Sequence, residues 1–158
     1  MTTMFDFGYG PVPAHQHKNG GGWVADTAMV AETAFVGPNA RVYGNAWVYG
    51  NALVSDNAWV YGNAQVYGNA LVYGNAQVYG NAIVSKTTVV LTGFPHTVTI
   101  TDHHCAVGCQ MHPPSVWKER GAAIIRADGH TIEQAKAWAA IIVSLIDAHG
   151  CVDKECEK

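Results

Sequence analysis

Residues 40–83 read ARVYGN AWVYGN ALVSDN AWVYGN AQVYGN ALVYGN AQVYGN AI. One hexad, Val-Tyr-Gly-Asn-Ala-x, recurs with little change. Its valines continue on both sides of this run: Val24, Val30, Val36, Val42, Val48, Val54, Val60, Val66, Val72, Val78, Val84 and Val90 stand six residues apart without a slip. A repeat this short defines the architecture before any other feature does. A period of six is not helical. Strand alternation fits it, placing Arg41 and Tyr43 on the side opposite Val42. The Gly-Asn pair supplies a turn, because glycine reaches positive φ freely and asparagine does so more readily than most residues. The following alanine is small enough for the inside of a corner. One strand and one corner per hexad give a triangular coil of three hexads. Twelve hexads therefore predict four coils, stacked at roughly 4.8 Å into a prism about 20 Å tall.

Three segments follow. Residues 1–21 hold Pro11, Pro13, His15, His17 and the start of the Gly20-Gly21-Gly22 run, and read as an extended arm with little structure of its own that caps the coil. Residues 22–92 are the repeat. Residues 93–158 form a C-terminal α+β module, predicted as a hairpin plus two helices. Pro113-Pro114-Ser115 starts one helix. Thr131 and Gln134 form a capping box for the other, which Gly150 ends.

The hexads in residues 22–92 resemble the left-handed parallel β-helix of the hexapeptide-repeat superfamily. They depart from its commonest hexad by carrying tyrosine, not glycine, after the inward aliphatic residue. The resemblance implies the left hand and a trimer.

Residues 18 apart share an outer face. The first face shows Trp23, Arg41, Trp59 and Gln77 with Tyr43, Tyr61 and Tyr79. The second shows Met29, Trp47, Gln65 and Ile83 with Tyr49 and Tyr67. The third shows Phe35, Leu53, Leu71 and Val89 with Tyr73 and Leu91. Apolar and aromatic surface of this extent favours association. Phe35, Leu53, Leu71, Tyr73, Val89 and Leu91 are the candidate oligomer interface. Trp23, Trp47, Trp59, Tyr43, Tyr61 and Tyr79, with His103, His104 and His112 of the module, are the candidate ligand or partner contacts.

Between Val24 and Val90 the charged residues are Asp26, Glu32, Arg41, Asp56 and Lys86, and the net charge of the chain is -3. Two cations neutralise few phosphates, so nucleic acid is not an expected partner. No apolar run is long enough for a membrane span. Residues 1–10 lack the basic start and apolar stretch of a signal peptide, which sets a cytoplasmic expectation.

Acyltransferases and γ-class carbonic anhydrases that resemble this scaffold place catalytic or zinc-binding histidines on their coils. Here no histidine lies between Lys18 and His96, so the coils are read as non-catalytic. Cys105, Cys109 and His112 have the spacing of an incomplete zinc site, with His103, His104 or Cys151 as a fourth ligand. Cys109 and His112 could instead form a nucleophile pair. Buried structural cysteines with scattered histidines are the third possibility, and no cofactor is then needed. The segments Thr-Ile-Thr-Asp-His-His and Val-Gly-Cys-x-x-His, with Trp117, also look like C-terminal parts of uncharacterised phage and prophage hexapeptide-repeat proteins. The expected function is a non-catalytic, oligomeric binding protein that captures a small ligand such as a nucleotide, or a host protein, in a counter-defence setting. The alternatives are an enzyme with a Cys/His site or an acyltransferase-like activity, and a trimerising structural stalk.

Overall fold

The computed structural model describes residues 2–154. β1 (Met4–Asp6) and β2 (Pro11–Gln16) open the chain. The coil strands follow as β3 (Trp23–Ala25), β4 (Met29–Val30), β5 (Phe35–Val36), β6 (Arg41–Val42), β7 (Trp47–Val48), β8 (Leu53–Val54), β9 (Trp59–Val60), β10 (Gln65–Val66), β11 (Leu71–Val72), β12 (Gln77–Val78) and β13 (Ile83–Val84). They pair in parallel with partners one turn away, as in Trp23 opposite Arg41 and Arg41 opposite Trp59. β3, β6, β9 and β12 form one face, β4, β7, β10 and β13 the second, and β5, β8 and β11 the third. The valines from Val36 to Val84, with Val24, are buried, while Val30 and Val90 at the ends are only partly covered. Corner alanines fill the remaining interior.

The corner glycines are required by the stacking itself. Gly44 has φ 70°, and a Cβ there would lie 2.9 Å from the backbone nitrogen of Gly62 on the next coil. Asp56 stands in the glycine position of its hexad and is the one described non-glycine residue with positive φ, at 55°. Its Oδ2 accepts from the Gly74 N–H at 2.9 Å. The hydrogen bond offsets a strained backbone.

The four coils expected from twelve hexads are three complete turns and a fourth begun on two faces. Val89–Leu91 forms β14, which leaves the third face and pairs antiparallel with β15 (Val98–Ile100). The run Lys86-Thr87-Thr88-Val89-Val90 has no Gly-Asn corner and is β-branched at four positions, which favours continued extension over turning. β16 (Cys105–Val107) and β17 (Gln110–His112) complete a four-stranded antiparallel sheet. It replaces the single hairpin expected. α1 (Pro114–Ala127) and α2 (Ile132–His149) pack on it around Trp117, Ile142 and Ile146. The expected capping box at Thr131–Gln134 is formed, and Gly150 closes α2 in the left-handed region.

The arm also has structure of its own, against the expectation of little. β1 and β2 make a hairpin that pairs with β3. Its turn is held by Asp6 Oδ1, which accepts from the N–H groups of Gly8 and Gly10 at 2.7 and 3.0 Å. Phe7 is buried against the first face. At the other end, the module covers the last coil. The Gln77 N–H donates to Thr99 Oγ1 at 3.1 Å. Asp102 is 8% exposed, and its Oδ2 accepts from the Ser85 N–H at 3.0 Å and from the Ser85 hydroxyl.

Two stability outcomes follow. Asp56→Ala keeps the strained φ and loses the acceptor, so it lowers stability by about 1–2 kcal/mol, whereas Asp56→Gly stays within about 1 kcal/mol of wild type. Asp102→Ala removes the acceptor of two Ser85 donors and lowers stability by about 1–3 kcal/mol. Thermal melts followed by circular dichroism check both.

Candidate functional site

The first-face tyrosines form a ladder. Tyr43 and Tyr61 stack with ring centres 4.8 Å apart, and Tyr61 and Tyr79 at 5.2 Å. Phe7 of the hairpin covers Tyr43 at 5.0 Å. The Tyr79 hydroxyl donates to the Gly108 carbonyl of the module at 3.1 Å. Burial, the main cause, raises the hydroxyl pKa of Tyr79 to about 12 and also raises those of Tyr43 and Tyr61. Both ends of the ladder are therefore closed by the chain itself, and these rings act chiefly as a strut between the two caps.

Beside the ladder lies an open cleft of about 520 Å³. Trp23, Arg41 and Trp59 supply one wall, Phe5 of β1 overhangs it, and Pro38, Asn39 and Asn57 come from the neighbouring corners. Phe5 stacks on Trp23 at 4.4 Å. The Arg41 guanidinium sits between two rings, 5.4 Å from the centre of Phe5 and 5.0 Å from that of Trp59. Cation–π contact holds the charge in place along the rings and leaves its N–H edges directed elsewhere. The cleft falls within the size range of small-molecule sites. Trp23 and Trp59 were expected site residues. Phe5 and Arg41 were not, although Arg41 is the one cation within the regular hexads and that isolation was a usable signal.

Trp47 lies on the second face, 49% exposed, beside Met29 at 59%. Tyr49 and Tyr67 stack there at 5.3 Å. On the third face Phe35 and Leu53 are half-buried, while Leu71 and Tyr73 are 38% and 40% exposed. Val89 and Leu91 are not on that face: carried off by β14, they pack against the helical core of the module.

The histidine and cysteine candidates do not converge. Cys105 and His112 stand opposite each other on β16 and β17, but Cys109 occupies the turn between these strands. Cys105 is buried among Trp117, Ile142 and Ile146, and burial pushes its thiol pKa up. Burial likewise lifts Cys151 to about 12. A buried thiol held neutral is a poor ligand or nucleophile. Cys109 is exposed, and Cys156 lies outside the described residues. The His112 ring meets Trp117 edge-on at 5.7 Å, and its Nε2 is 3.2 Å from Gln110 Oε1. His103 Nδ1 donates to the Val152 carbonyl at 2.9 Å. Among the described residues no three His, Cys, Asp or Glu side chains are grouped so as to hold a metal ion. His17, from the arm, is structural: its Nε2 donates to the Ala34 carbonyl at 3.0 Å. The module's own small cavity, about 60 Å³, is apolar and lies under Phe94, Trp117 and Trp138, with a His96–Asp128 pair at 2.7 Å on its rim.

A family profile described as the YdcK beta solenoid repeat matches residues 48–62, 64–78 and 76–91. With the stacked parallel coils, this makes the chain a repeat β-solenoid protein. The match covers the later coil strands and the strand that leaves them, and does not extend to the arm, to β3–β6 or to the helices. No curated protein and no solved structure matches the chain. Among the described residues no helix is long and apolar enough to cross a membrane.

A pH dependence follows from two half-buried histidines near the module's tail. Burial is the main cause lowering the pKa of His104 and of His149 below the usual 6.5. The unfolded chain therefore binds protons more readily than the folded one. Their contribution to stability is present above pH 6.5 and is lost as pH falls through their folded values. Melting temperature should decline on acidification below pH 6.5, and the double variant His104→Gln, His149→Gln should show a shallower decline.

Proposed function

We propose that this is a non-catalytic binding protein that assembles through its outward coil faces into a homotrimer and captures a small ligand such as a nucleotide, or a host protein partner. The supporting observation is the band of exposed apolar and aromatic side chains on the second and third faces, from Met29 and Trp47 to Leu71 and Tyr73. A solvated monomer gains nothing by presenting such a surface, whereas a subunit interface buries it. The same apolar face repeated in each copy suits closed cyclic assembly. The coils supply rigid positions and carry no histidine. The thiols of Cys105 and Cys151 are buried and neutral, so capture accounts for the surface better than turnover does. In a phage, the same capture would remove a host signal or occupy a host defence protein in the cytoplasm.

Light scattering coupled to size exclusion tests the assembly. The wild type should elute as a trimer. Leu71→Glu, which places a charge on the most exposed leucine of the third face, should shift it to monomer without lowering the melting temperature by more than a few degrees. A wild type that is monomeric at micromolar concentration overturns the proposal. Native mass spectrometry of the purified protein adds the second arm: a co-purifying small molecule or protein supports capture.

A further inference from the structure

We propose that the cleft between Phe5, Trp23, Arg41 and Trp59 is the ligand site, and that its ligand is a mononucleotide carrying a single phosphate group. The inference rests on the binding function proposed above and gives it a place and a chemistry.

Four features of the cleft carry it. First, Arg41 is half-buried and lies against two aromatic rings, which orients the guanidinium before any ligand arrives. Second, among the described residues Arg41 has no carboxylate partner, and its side chain has no hydrogen-bond acceptor. Asp6, whose acidity Arg41 influences, has its own carboxylate engaged by the N–H groups of Gly8 and Gly10. A guanidinium so placed presents a fork of donors matched to two oxygens of a phosphate or carboxylate. Third, the wall around it is planar and aromatic. Trp23, Trp59 and the Pro38 ring offer surface on which a nucleobase stacks without regard to its sequence identity. Fourth, Asn39 and Asn57 bring amide donors and acceptors to the same cleft. These can pair with a base edge or sugar hydroxyls.

Charge sets the phosphate number. Arg41 is the one cation lining the cleft. A single guanidinium presents one fork of donors, enough to engage two oxygens of one phosphate group, and a polyphosphate would bring further anionic oxygens for which the cleft holds no second cation. The volume of about 520 Å³ holds one base, sugar and phosphate. Phe5 belongs to the hairpin and Trp59 to the third turn of the first face, so a bound mononucleotide would also bridge the N-terminal cap to the coil.

Isothermal titration calorimetry on the full chain tests this with AMP, GMP, their nucleosides, ATP and inorganic phosphate. At least one of the two monophosphates should bind tenfold or more tightly than its nucleoside, than ATP and than phosphate. Arg41→Gln should abolish that preference over the nucleoside, and Arg41→Lys, which keeps the charge and loses the fork, should retain part of it. Asn57→Asp leaves the Phe5–Arg41–Trp59 stack in place and adds a negative charge. It should weaken the monophosphate tenfold or more and weaken the nucleoside by a smaller factor. Neither monophosphate binding better than its nucleoside, or Asn57→Asp and Arg41→Gln both binding it as wild type does, overturns the proposal. Assembly is read separately by light scattering: a trimer that binds no mononucleotide defeats this inference alone, and a monomer defeats the function it rests on.

Discussion

Every coil contact depends on a residue meeting its equivalent one turn away. The parallel register sets valine over valine inside and tyrosine over tyrosine outside. It also brings glycine backbones so close at the corners that a Cβ at Gly44 or Gly50 would meet the next coil's backbone at about 2.9 Å. Burial of the valine column supplies the main driving force. The close corners convert it into a single register, because a shift of even one residue would turn valines outward and set side chains against those backbones.

A stack with this register has two open ends, and the chain closes both. The hairpin extends the first face as an added antiparallel pair, so the edge of β3 is not left unpaired. The C-terminal sheet lies against the last coil through Thr99, Asp102 and Met111. The Tyr43–Tyr61–Tyr79 ladder runs between these closures. The caps thus do more than cover edges: they turn part of the first face inward, and the hairpin's Phe5 builds the cleft around Arg41. The second and third faces receive no such cover, which is why assembly is assigned to them.

Much of this was legible in the hexad. Strand, corner, inward valine and the three outer faces all follow from a fixed spacing and the backbone preferences of Gly and Asn. The coil count was not, because the last hexads keep the valine spacing while losing the corner. Val89 and Leu91 look like coil residues and behave as sheet residues. The arm was misread for a related reason: Asp6 and its flanking glycines form a tight turn, and the pairing that follows is with β3, distant in sequence. The His/Cys group was visible as a cluster in sequence only. Strand pairing separates Cys109 from Cys105, and the packing of α1 and α2 buries the latter. The cleft was half legible, through Trp23 and Trp59. Its missing half lay in the arm and in a charged residue treated as one more position on a face.

The register itself is open to direct test by comparing two deletions in the thermal unfolding of the purified protein. Removing residues 60–77 takes out one complete turn and rejoins Trp59 to Val78, an in-phase junction. Removing residues 60–76 leaves the phase one residue off. The in-phase deletion should unfold in a single cooperative transition with native-like β signal, at a lower melting temperature than wild type, and the out-of-phase deletion should fail to fold cooperatively. Equal cooperativity and equal melting temperatures in the two would contradict the dependence of the structure on residue-for-residue stacking.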